Sequence, residues 1–277
     1  MPMERFNEAG ASAAPRPRPW QALTAVAVSM TLLSALGPLL LRWPGLRYSG
    51  LALTEVVCIA APALLLAGLA RLPPRPLFRL RAPSVRLAAP VAMVAASGFV
   101  LSQSLAAWME RWLGPGYAPD WEVYAPRDGP ERVAALLALA VAPAVCEELM
   151  FRGYVLRGIE NLRRRGGGVP SAMRGTMESS LIVGFLFAVG HLSPTAFPSQ
   201  LLLGALITFV VLRADSILAG MAMHAACNGA AVLLWHTVWM ERLPDAAVLN
   251  LSAVAVLGGG LAWVWRASRG PADAGDR

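Results

Sequence analysis

Residues 133–163 read VAALLALAVAPAVCEELMFRGYVLRGIENLR. The apolar positions run on without the alternation of a strand, and only Pro143 interrupts a helical reading. A helix through the whole stretch is about 45 Å long, more than the roughly 30 Å hydrocarbon core of a bilayer requires. Near its middle stand two adjacent carboxylates, Glu147 and Glu148, with Arg152 one turn further on. Ionisable side chains at membrane depth are costly and mark function. Glu148 and Arg152 are four apart, so they share a face and can pair. Glu147 points about 100° away and is left to face a cavity.

Composition carries the membrane reading outward from this stretch. Of 277 residues, 56% are hydrophobic and 15% charged, where a soluble domain has about 25% charged. Mean hydropathy is +0.53. A disordered chain and an ordinary cytosolic enzyme are excluded. Apolar blocks near 22–41, 51–70, 87–107, 133–158, 179–192, 199–212, 216–238 and 247–265 predict eight spans. The first block reads as a retained anchor rather than a cleaved signal peptide, because no polar mature domain follows it. The blocks 179–192 and 199–212 are short, with no charge between them, and predict a hairpin that need not cross the whole bilayer. The expected fold class is all-α: a polytopic membrane helix bundle of about eight transmembrane helices, with the active site within the membrane. A single domain over 20–266 is flanked by a disordered cytoplasmic tail, 1–19, and a short cytoplasmic tail, 267–277.

The net charge is +7, and all 24 basic residues are arginine. They lie in short loops rather than on a soluble basic face with stacking aromatics, which speaks against nucleic acid. With eight spans and a cytoplasmic N-terminus, the outer segments hold Arg42, Arg47, Arg111, Arg127, Arg132 and Arg242, and the other arginines all fall inside. Such a bias places both termini in the cytoplasm. The acids Glu110, Asp120, Glu122, Asp128 and Glu131 suit an outer loop, and Trp108, Trp112, Trp121, Trp235 and Trp239 fall near span ends as interfacial anchors. The arginine-only composition is that of a GC-rich genome and fits a bacterial inner-membrane protein. Cys58, Cys146 and Cys227 lie within apolar blocks without metal-ligand spacing and read as inert buried thiols.

Few other ionisable residues fall within spans. Glu55 stands alone near the start of the second span and reads as an interfacial carboxylate that keeps its water. His191 ends SSLIVGFLFAVGH, with Phe187 one turn before it to pack on the ring. His224 and Asn228, in ILAGMAMHAACNGA, are four apart and can point at one spot. His236, beside Trp235 and Trp239, reads as interfacial. Together, two carboxylates, an arginine, two histidines and an asparagine on three spans suffice for hydrolysis. A glutamate and a histidine can take a proton from water, and a histidine and an amide can hold an oxyanion. Alternatively, Glu147, His191 and His224 could hold a zinc ion that activates water. No HExxH is present.

These segments resemble the motifs of the CAAX protease and bacteriocin-processing (CPBP) family, intramembrane endopeptidases related to the type II CAAX prenyl protease. EExxxR is matched by Glu147, Glu148 and Arg152, FxxxH by Phe187 and His191, and HxxxN by His224 and Asn228, in that order, across a protease core of about 133–238. The resemblance implies that Glu147 and His191 activate water, that His224 and Asn228 stabilise the oxyanion, and that Glu148 and Arg152 hold the first helix in register. It implies a membrane-anchored protein or peptide as substrate, possibly a C-terminal anchoring tail. It leaves a metal-dependent and a glutamate-type mechanism open; Asn228, a better oxyanion donor than metal ligand, favours the second. A bacteriocin-immunity or scaffold protein of the same fold, without catalysis, is the alternative. A transporter would show repeated halves, which the sequence lacks.

Overall fold

The computed structural model describes residues 15–42, 46–117, 121–165, 172–235, 237, 242 and 245–268. Among them there is no strand. Eight apolar helices dominate: α1 (Pro19–Leu41), α2 (Arg47–Leu69), α3 (Val85–Leu113), α4 (Gly129–Leu162), α5 (Ala172–Gly190), α6 (Phe197–Ala214), α7 (Ile217–Leu233) and α8 (Ala247–Ala267). Seven are long and apolar enough to cross a membrane; α7, at 17 residues, falls just short. The sequence block 216–238 ran longer because its apolar content continues past the point where the helix stops at Leu233. The expected short hairpin is corrected too: α5 and α6 have 19 and 18 residues, and both qualify as spans. The helix of α5 begins before the apolar block does, at Ala172. His236 and Trp239 lie outside the described residues.

The outer surface of the bundle is apolar. Leu65, Leu69, Leu181, Phe185, Val248 and Leu251 are all exposed. Lipid is the natural cover for so many exposed large apolar side chains on helices long enough to span a bilayer. The centre is α4. Met150, Phe151, Tyr154, Val155 and Leu156 are buried together with Gly153 and Arg152, so this turn is enclosed on every side. It packs against α1, α2, α5 and α7. Lipid tails give no hydrophobic drive between helices, so small residues set how closely they approach. The tightest crossing joins α5 and α6: a Cβ on Gly204 would stand 2.9 Å from the Gly184 Cα, and one on Gly184 would stand 2.7 Å from the Ala205 nitrogen.

Three wide, π-type turns interrupt these helices: Glu55–Ala60 in α2, and Leu136–Val141 and Leu149–Val155 in α4. In two of them a proline follows two residues after the turn, Pro62 and Pro143 respectively. Proline gives no N–H to the carbonyl four residues before it, and the wide turn accommodates the break. Such turns recur at functional sites, and here two of them bracket Glu147 and Glu148.

Polar contacts fix both ends of α4. At its start, Arg47 donates to Val123 O, Ala125 O and Glu131, and Tyr48 Oη donates to Tyr124 O. At its far end, Glu160 receives Arg16, Arg79 and Arg157. The depth of the glutamates is therefore set from both ends.

Candidate active site

Glu148 and Arg152 form the ion pair that their spacing predicts. Arg152 Nη1 donates to Glu148 Oε1 at 2.8 Å, and both side chains are fully buried. The guanidinium does more than the sequence showed. Its Nη2 donates to Gly204 O at 2.9 Å and its Nε to Thr208 Oγ1 at 3.2 Å, so it ties α4 to α6. It also lies 4.5 Å from the centre of the Phe187 ring, an added cation–π attraction.

His224, on α7, reaches the same carboxylate. Its Nδ1 lies 3.0 Å from Glu148 Oε1. An ionised carboxylate only accepts, so Nδ1 carries the proton. The opposite nitrogen, Nε2, then faces Glu147 Oε2 at 3.8 Å. The histidine thus stands between the two glutamates. Glu147 is the less enclosed of the pair, at 12% side-chain exposure, and its Oε2 accepts no hydrogen bond. Glu148 is held by arginine through Oε1, its own Oε2 also taking no hydrogen bond, and Glu147 has no arginine partner, as the helical offset predicts.

Phe187 is the pivot of the site. Its ring contacts the imidazoles of His191 and His224 at centroid distances of 4.7 and 5.9 Å, and meets Phe151 edge-on at 5.2 Å. His191 ends α5, and its Nδ1 lies 2.8 Å from Phe187 O. With Nδ1–H donating to that carbonyl, Nε2 keeps its lone pair for a proton or a ligand. Asn228, one turn after His224, donates from Nδ2 to Leu139 O at 3.0 Å. This carbonyl is the one that Pro143 leaves without its usual helical donor. One amide hydrogen of Asn228 is therefore committed, and the second is free to act.

Glu55 requires a correction. The sequence reading set it apart at the interface, hydrated. In the structure, the turn that it opens packs against Ala142–Glu148, which puts it within electrostatic range of Glu147 and Cys146. Its Oε2 is enclosed and takes no hydrogen bond. Its position inside an apolar block was the available signal; helical spacing could not say which helix lay opposite. Among the described residues, no three His, Cys, Asp or Glu side chains converge as a metal-ligand set. The trio Glu147, His191 and His224 therefore does not form one here, and no step below passes through a metal.

Residues 129–230 match the family model described as type II CAAX prenyl endopeptidase Rce1-like. The match supports a relationship between this segment and the CAAX protease family, whose members are generally intramembrane proteases. It holds Glu147, Glu148, Arg152, Phe187, His191, His224 and Asn228, and leaves Glu55 outside. No curated protein and no solved structure matches the chain significantly.

Proposed function

We propose that this protein is an intramembrane endopeptidase that hydrolyses a peptide bond in a membrane-associated protein or peptide. The observation that carries the reading is the enclosed, unpartnered Oε2 of Glu147 beside His224 Nε2, on a helix held in place by the Glu148–Arg152 pair. Glu147 takes a proton from water, and His191 Nε2 offers a second lone pair for that same proton. The hydroxide attacks the scissile carbonyl. His224 Nε2–H and the free amide hydrogen of Asn228 hold the oxyanion. To donate from Nε2 while Nδ1–H is bound to Glu148, His224 acts as an imidazolium in this step. Glu147 then delivers its proton to the departing amine.

The substrate carries a lipid or apolar anchor, because the site lies within apolar helices. A C-terminal anchoring tail of a bacterial membrane protein is one substrate of this kind. The arginine distribution supports an inner-membrane location with both termini in the cytoplasm. The test compares the C-terminal peptides of membrane proteins, by mass spectrometry, from cells carrying the wild type or Glu147→Ala. Products that vanish in the variant support the reading. Identical peptide sets favour a non-catalytic immunity or scaffold role.

A further inference from the structure

Glu55 lies outside the residues that the family match covers, yet the fold delivers it to the site. Its turn on α2 packs against the segment of α4 that carries Glu147. Glu147 and Cys146, the residue before it, lie within electrostatic range of Glu55. Glu55 Oε2 and Glu147 Oε2 are both enclosed, and neither takes a hydrogen bond from the protein. Arg152 directs its hydrogen bonds to Glu148, Thr208 and Gly204, and none to Glu55 or Glu147. Buried carboxylate oxygens left without donors are expensive, and folded proteins satisfy them. Two such acceptors at one helix contact, with no protein donor, call for a small molecule with two donors. Water is that molecule.

We propose that Glu55 is a further catalytic residue, which together with Glu147 holds the attacking water. The inference rests on the endopeptidase reading above. One O–H of the water donates to each carboxylate. The O–H bond to Glu147 breaks, and the oxygen forms a bond to the scissile carbon. The proton passes from Glu147 to the amine as the C–N bond breaks. Glu55 keeps its hydrogen bond throughout and ends the cycle unchanged. Its contribution is to fix the direction of attack, a matter of orientation more than proton transfer.

The experiment uses the full chain in proteoliposomes, with membrane proteins extracted from Glu147→Ala cells as the probe. Formation of Glu147-dependent products is followed for wild type, Glu55→Ala and Glu55→Gln. Glu55→Ala should lower kcat about 100-fold with KM unchanged. Glu55→Gln keeps an acceptor oxygen and should stay within about tenfold of wild type. If the alanine variant fails to fold, the position of the water decides the matter. An experimental structure should place one water within about 3.2 Å of both carboxylates. Wild-type kcat in Glu55→Ala, equal loss in both variants, or no shared water overturns the proposal and leaves the endopeptidase reading standing. A wild type that forms no products overturns that reading, and the proposal falls with it.

Discussion

Arg152 and Gly204 are joined by a hydrogen bond from Nη2 to the backbone carbonyl at 2.9 Å, at the point where α6 lies closest to α5. The arginine of the glutamate helix therefore reads the position of a neighbouring pair of helices as well as that of its own carboxylate. Gly204 O also accepts from Thr208 Oγ1, and Thr208 accepts from Arg152 Nε. The guanidinium, the hydroxyl and the carbonyl form one closed, buried set.

Breaking that set should cost more than altering the open glutamate. Removing one partner of a buried ion pair costs about 3–5 kcal/mol. Glu148→Gln should lower the thermal stability of purified protein well below that of Glu147→Gln, whose Oε2 has no hydrogen-bond partner to lose. Equal melting temperatures for the two variants would contradict the division of labour between the glutamates.

The α5–α6 crossing gives a second prediction. Gly204→Ala puts a methyl group against the backbone of Gly184, and backbone cannot rotate away. The helices must part, at about 1–3 kcal/mol for overpacking, and the Arg152 bond to Gly204 O is stretched. Folded yield should fall. Gly258→Ala and Gly259→Ala, where an added methyl meets nothing within 4 Å, should leave yield unchanged.

Asn228 has two tasks, and its variants should separate them. Asn228→Ala removes an oxyanion donor, worth about 100- to 1000-fold in rate. It also strips Leu139 O of its side-chain donor, for about 1 kcal/mol of stability. Asn228→Asp, which as a carboxylate cannot donate to either oxygen, should be no better in rate. A variant with normal kcat and lowered stability would confine Asn228 to the structural task.

The arginine distribution predicts a cytoplasmic C-terminus. A phosphatase reporter that works only in the periplasm, fused after residue 277, should be silent, and a cytoplasmic reporter at the same place should be active. The opposite pattern would invert the topology.

Much of this was legible in the sequence because it is local. The Glu148–Arg152 pair, the shared face of His224 and Asn228 and the packing of Phe187 on His191 all follow from one turn of a helix. The contacts between helices were not legible. Nothing in the spacing says that His224 joins Glu148, that Asn228 caps the carbonyl exposed by Pro143, or that Arg152 reaches Gly204. Glu55 was misread for the same reason: on its own helix it has no partner, and its neighbour is about ninety residues away in the chain. Hydropathy located the spans, but it overran the end of α7 and missed the polar first turns of α5, where helix and apolar block do not coincide.

The central claim is that Glu147 is the base of a peptide hydrolysis, and the most direct measurement is the rate of that hydrolysis with this one oxygen pair removed. Purified wild type and Glu147→Ala, matched for folded amount, are incubated in proteoliposomes with membrane proteins from Glu147→Ala cells, and new peptide termini are counted by mass spectrometry. Wild type should generate a defined set of termini, and Glu147→Ala should generate them at least about 100-fold more slowly. The same termini formed at the same rate by both proteins would contradict the account.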